Sequence, residues 1–168
     1  TELQTDVERK QIANIDKGIA LARATADYPE GARYKWNVEV LWAVDSYLRT
    51  QSPERRQAFI EAVRRGQVGL DAMYGNLLTG LCRPEELIRL FRYSTQLSQE
   101  CGVPIESAMI SDVPGYTWGV VSAMAQAGVK YWSIGPNYFD RMGSTIVTWE
   151  NKPFWWVGPD GTSRVLVW

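Results

Sequence analysis

The sequence predicts an α/β fold: a mostly parallel sheet served by crossover helices, either open or part of a (β/α) barrel. Helix-spaced and strand-like apolar segments alternate along the 168 residues, the pattern that successive βαβ connections leave in a sequence. The composition, 45% apolar and 22% charged, is that of a globular domain and excludes a chain disordered by composition. The length holds only part of the roughly 250 residues that a complete eight-unit barrel takes.

Each element has its own signal. Val7, Ile12, Ile15, Ile19 and Ala22 fall at helical spacing over residues 5–26, and Tyr28-Pro29-Glu30-Gly31 stops that helix, since Pro cannot continue it. Residues 34–40 alternate aromatic or aliphatic with polar side chains, which predicts a strand. Helices follow at 41–49 and 53–65, the second with Ser52 at its N-cap, Pro53 at its first position and Gly66 just past its end. Residues 68–74 form the next strand. Residues 83–101 read as one long helix with Leu87, Leu90, Phe91, Leu97 and Cys101 on its buried stripe. Pro84 opens it, Glu85 and Glu86 favour its positive end, and Gly102 ends it. A strand at 107–111, a helix at 117–127 closed by Gly128, and a strand at 129–134 come next. Residues 154–157 and 164–168 flank Pro159-Asp160-Gly161-Thr162, the strongest hairpin signal in the chain.

Several function classes fall away. Eighteen Lys and Arg against nineteen Asp and Glu give a net charge of −1 with no like-charged block, so nucleic acid has no electrostatic footprint. No apolar run approaches the ~20 residues of a membrane span. The polar, acidic start Thr1-Glu2-Leu3-Gln4 is unlike a signal peptide; without an initiator Met, it is expected to be a piece of something longer. Histidine is absent, which removes Ser-His-Asp and Cys-His catalysis and the commonest metal ligand. No Gly-rich phosphate loop occurs. Cys82 and Cys101 are expected as small buried hydrophobes.

In parallel α/β folds, functional side chains collect where strands end. Asp112 ends an apolar strand and precedes Pro114-Gly115, so it either points out at the carboxyl mouth of the sheet or caps the next helix. Glu39 ends the first strand and is a second carboxylate placed to face that mouth. The loop with Asn76 and Thr79, and the junction Ile134-Gly135-Pro136-Asn137-Tyr138-Phe139, carry groups that hold sugar hydroxyls or serve as ordinary turn chemistry. The Trp-rich stretch 149–156 suits stacking on sugar faces or core packing.

The run Ser111-Asp112-Val113-Pro114-Gly115-Tyr116-Thr117-Trp118-Gly119, followed by Gln126-Ala127-Gly128-Val129-Lys130-Tyr131, resembles the N-terminal catalytic domain of glycoside hydrolase family 38, the α-mannosidases. Residues 34–40 and Gly66-Gln67-Val68 resemble two of that family's strand entries, and the likeness runs over most of the chain. The resemblance implies an irregular seven-stranded α/β barrel of the glycoside hydrolase/deacetylase type, holding one zinc ion. It implies retaining hydrolysis of O-glycosyl bonds, with Asp112 as both nucleophile and zinc ligand. Asn76, Thr79, Tyr116, Trp118 and Asn137 are the candidate substrate contacts.

The family's remaining zinc ligands include His-x-Asp and a later His, and its general acid is an Asp well downstream. With no His, residues 1–168 are expected to be an internal fragment of one catalytic barrel domain, lacking the first strand and the C-terminal part. Zinc is then expected in the intact parent and none in this fragment, which is expected to be inactive alone. The family's Arg after the fourth strand and its acidic residue in the second strand's loop are replaced near Pro136-Asn137 and Thr79, which implies a divergent subgroup. The expected partner is a carbohydrate, with no nucleic acid and no membrane. Alternatives from other classes are a non-catalytic carbohydrate-binding or interaction module, and a related carbohydrate deacetylase. An incomplete barrel leaves open edges, expected at residues 35–40 and 165–168, through which the isolated piece is expected to self-associate.

Overall fold

A computed structural model describes residues 3–137, 145–150 and 152–168. The helices are α1 (Gln4–Ala24), α2 (Leu41–Thr50), α3 (Pro53–Arg64), α4 (Pro84–Arg89), α5 (Arg92–Cys101), α6 (Val120–Gln126) and α7 (Thr145–Trp149). The strands are β1 (Trp36–Val38), β2 (Val68–Leu70), β3 (Ser107–Val113), β4 (Tyr131–Pro136), β5 (Phe154–Val157) and β6 (Arg164–Val167). β1 and β2 pair in parallel, and a second sheet runs in the order β3-β4-β6-β5. Only β5 is antiparallel to its neighbour. The two sheets meet through a parallel bridge between Asp71 and Ser107, where the Ala72 N–H donates to the Ser107 carbonyl at 2.8 Å. The α/β class and the parallel order stand as the sequence predicts. The six described strands form an open arrangement.

One face of the sheets is dry. Val38, Leu70, Ala108, Ile110, Trp132, Val165 and Val167 are buried there with Phe59, Leu97, Val121 and Met124 from the helices. Trp132 and Trp156 stack with ring centroids 5.5 Å apart. The opposite face is open and mixes polar side chains with apolar ones, Met109, Tyr131 and Leu166 among them. A groove of about 360 Å³ crosses it, lined in part by Asn37, Asp71, Ser107, Met109, Ser133 and Trp168.

The structure corrects several expected boundaries. β1 and β2 are three residues each, because their ladder ends where the chain lifts away to bridge to β3. The 83–101 helix breaks into α4 and α5 at Leu90 and Phe91, both buried. The Leu90 carbonyl accepts the Tyr74 N–H at 3.1 Å, which turns it out of the helical ladder. α6 starts at Val120 rather than 117; the residues before it form a tighter turn, with the Val120 N–H on the Thr117 carbonyl at 3.3 Å and the Val121 N–H on the Trp118 carbonyl at 3.2 Å. The open edges also differ: β1 is one, but β6 lies between β4 and β5, so β5 is the other. The hairpin folds back outside β6 and covers it.

That hairpin turn organises itself. The Asp160 carboxylate accepts the Ser163 hydroxyl at 2.6 Å, the N–H groups of Ser163 and Thr162 at 2.7 and 2.9 Å, and the Ser122 hydroxyl of α6 at 2.9 Å. Led by the Ser163 hydroxyl, these donors hold the Asp160 carboxyl well below the usual carboxylate range.

Candidate active site

The carboxyl ends of the strands gather two carboxylates, two amides and a strained main chain. β3 pairs Ser111 with Gly135 and then Val113 with Pro136, so Asp112 is an extra residue without a partner on β4. This β-bulge holds Asp112 at φ 56°, in the left-handed region that Asp enters more readily than most residues but at a cost. Val113 returns to the buried side and pairs with Pro136 while Pro114-Gly115 turns the chain, so the mismatch falls on the residue between. Bulges beside functional sites re-aim side chains, and here the Asp112 carboxylate is exposed at the mouth. The helix-cap reading fails, since α6 begins at Val120 with Gly119 at its N-cap.

Asn137, just beyond β4, donates its Nδ2 to Asp112 Oδ1 at 2.5 Å. Its own Oδ1 is buried with no partner among the described residues, leaving an acceptor beside the carboxylate. Glu39 follows β1, and its Oε1 accepts Asn76 Nδ2 at 2.8 Å and the Ser111 N–H at 3.0 Å. The structure thus brings Asp112, Asn137, Glu39 and Asn76 to one end of the sheet.

Other predicted contacts lie elsewhere. Thr79 is fully buried, and its hydroxyl is engaged by Thr117; it fixes the loop and does not face the mouth. Tyr116 turns into the dry layer, edge-on to Trp132 at 5.3 Å. Burial pushes its hydroxyl up to about 12. Trp118 is 54% exposed, but its Nε1 donates to the Val157 carbonyl at 2.6 Å, which seats it over the end of β5. Tyr138 and Phe139 lie outside the described residues. In the Trp-rich stretch, Trp156 serves the core, Trp149 packs edge-on to Phe154, and exposed Trp155 carries the Arg164 guanidinium 4.8 Å from its ring centre. Cys101 is buried as expected, while Cys82 is only half-buried; both are free thiols pushed up by burial.

Sequence reading missed a buried polar cluster below the mouth. Asp71 is 2% exposed and accepts the Ser107 hydroxyl at 2.8 Å and the Asn37 amide. Burial raises its carboxyl above the ordinary range; the Ser107 and Asn37 donors oppose that shift and the Glu39 charge adds to it. The available signal was a polar side chain at each of these positions, which line the groove on the open face. Gly69, opposite Asn37, makes room for the cluster, since a Cβ there would stand 2.4 Å from Asn37 Oδ1.

Among the described residues no group of three or more His, Cys, Asp or Glu side chains is arranged to hold a metal ion. Asp112 with a neutral amide does not fit zinc, which takes three or four protein ligands. No helix among the described residues is long and apolar enough to cross a membrane.

Comparison with known proteins bears on this geometry. The family model for the glycosyl hydrolases family 38 N-terminal domain matches residues 3–168. Comparison with curated proteins gave no match. Among solved structures, an alpha-mannosidase from Enterococcus faecalis V583 superposes with a TM-score of 0.71 at 21% identity, covering 97% of this chain and 18% of that one. A family 38 glycosyl hydrolase from Enterococcus faecalis gives 0.68 at 18% identity, covering 97% and 17%. A 4-alpha-glucanotransferase from Thermococcus litoralis gives 0.66 at 11% identity, covering 95% and 24%. The chain therefore spans less than a quarter of these three proteins.

Proposed function

The chain belongs to glycoside hydrolase family 38, and on that footing we propose that it is the nucleophile-bearing part of a longer retaining, α-mannosidase-like glycosidase. The observation that carries this reading is the Asp112 bulge, which turns a carboxylate out at the mouth with one oxygen held by Asn137. In the proposed reaction the free Asp112 oxygen attacks the anomeric carbon as the glycosidic C–O bond breaks. The leaving oxygen takes a proton from a general acid, and water then cleaves the glycosyl ester and restores the carboxylate. The acid/base carboxyl of such enzymes stands about 5–5.5 Å from the nucleophile, and we assign it to the longer protein. Asn76, exposed at the mouth, is placed to meet sugar hydroxyls.

The six strands are proposed as an arc of a seven-stranded barrel completed by that longer protein. Zinc, where the longer protein holds it, draws its other ligands from beyond this chain, so calorimetric zinc titration of residues 1–168 is expected to show no tight site. With β1 and β5 as open edges, the isolated chain is expected to dimerise or aggregate at high concentration, which light scattering reads.

The test uses the longer protein and a fluorinated glycosyl fluoride that traps the ester. Peptide mass mapping is expected to find the label on Asp112, and Asp112→Asn is expected to abolish it. A label on another residue overturns the assignment. Turnover of acetylated sugars but not aryl glycosides favours the deacetylase reading instead. Exposed Trp118, Trp155 and Trp168 favour the binding-module reading, which requires a Trp emission change with mannose oligosaccharides in a protein that hydrolyses nothing.

A further inference from the structure

We propose that Glu39 is a positioning residue for Asp112, standing in for a strand that β3 lacks. The inference rests on reading Asp112 as the nucleophile. Along a strand, backbone groups point alternately to the two neighbours. The Ser107 carbonyl faces β2, where it accepts the Ala72 N–H, so Ser111, four residues on, faces the same way. Among the described residues no strand waits there: β2 ends at Leu70, and its contact with β3 is the Asp71–Ser107 bridge. The Ser111 N–H would be left open one residue before the bulge.

Glu39 fills that gap. Its Oε1 accepts the Ser111 N–H at 3.0 Å and, with the same oxygen, Asn76 Nδ2 at 2.8 Å. One carboxylate thereby joins the end of β1, the loop after β2 and the top of β3, across a strand that stops short. Asp112 is then held from two sides. Glu39 fixes the main chain on which the bulge begins, and Asn137 fixes the carboxylate where it ends. Without Glu39, the left-handed Asp112 has an easier alternative, since a freed Ser111 lets the bulge relax along β3.

The prediction separates an acceptor from a charge. Glu39→Gln keeps an oxygen for the Ser111 N–H; Glu39→Leu does not. Two readings are taken on each in the longer protein: hydrogen exchange of the Ser111 amide, and the rate of trapping at Asp112 by the fluorinated glycosyl fluoride. Glu39→Leu is expected to lose Ser111 protection and to trap on the order of 100-fold more slowly. Glu39→Gln is expected to keep both near the wild-type level. A protected Ser111 amide in Glu39→Leu, or wild-type trapping by it, overturns the proposal. Slow trapping by Glu39→Gln with Ser111 still protected also overturns it, because charge and not position is then what Glu39 supplies. Should the wild type label no residue at Asp112, the nucleophile reading fails by itself, while the exchange measurement still decides whether Glu39 holds β3.

Discussion

The two faces of the same strands differ in kind. Towards the helices, Ala108, Ile110, Trp132, Val165 and Val167 are buried and apolar. On the opposite face and at the carboxyl mouth, the chain presents Asn37, Asp71, Ser107 and Asp112, held by directed hydrogen bonds. Stability resides mostly in the first set, where removing a side chain removes contact with many neighbours. The second set carries strain and desolvation cost, which the first offsets. A fold divided in this way can vary its chemistry without rebuilding its core.

Four substitutions test that division. Trp132→Ala, on the dry face, is expected to cost about 3–5 kcal/mol, read as a lowered denaturant midpoint, whereas Ser133→Ala next to it is expected to stay within about 0.5 kcal/mol. A similar loss for both would erase the distinction. Gly69→Ala sits on the open face but pushes Asn37 off Asp71; stripping a buried acceptor of a donor costs about 1–3 kcal/mol, and chemical denaturation measures it. Asp112→Gly is expected to act in the opposite sense, gaining about 1 kcal/mol by relieving a left-handed non-glycine residue. A lower melting temperature for that variant would show that the bulge is not strained.

The smallest effects concern pH, and two carboxylates are expected to move stability in opposite directions. Asp71 is raised in the folded state, so the folded chain binds more protons in the window above the unfolded carboxylate pKa. Its contribution is fully present below that window and is lost as pH rises through it. Asp160 is lowered, so its contribution is present above the unfolded pKa and is lost as pH falls. Melting profiles against pH of Asp71→Asn and Asp160→Asn should therefore flatten different limbs. Flattening of the same limb in both would refute the assignment.

Much of this architecture can be read from local sequence. Pro53 after Ser52 opens α3, Gly102 at φ 67° ends α5, and the mostly parallel direction of the strands follows from their alternation with helices. What could not be read depends on distant partners. Tyr74 draws the Leu90 carbonyl out of an otherwise continuous helical stripe. Thr79 is buried because Thr117, 38 residues away, needs its hydroxyl. The candidate site divides the same way. Asp112 was visible as a carboxylate ending a strand, but its bulge depends on β4 register, and the link from Glu39 spans 72 residues. No window of sequence contains either cause.

The Asp160 turn bears on the order in which this molecule assembles. Four of the five donors to its carboxylate lie within three residues, so β5 and β6 can close on each other without waiting for a distant element. Hairpins form in about 1–10 μs, far sooner than parallel pairs separated by a whole crossover. The last two strands then reach β4 already zipped, and the Ser122 hydroxyl of α6 meets a finished turn.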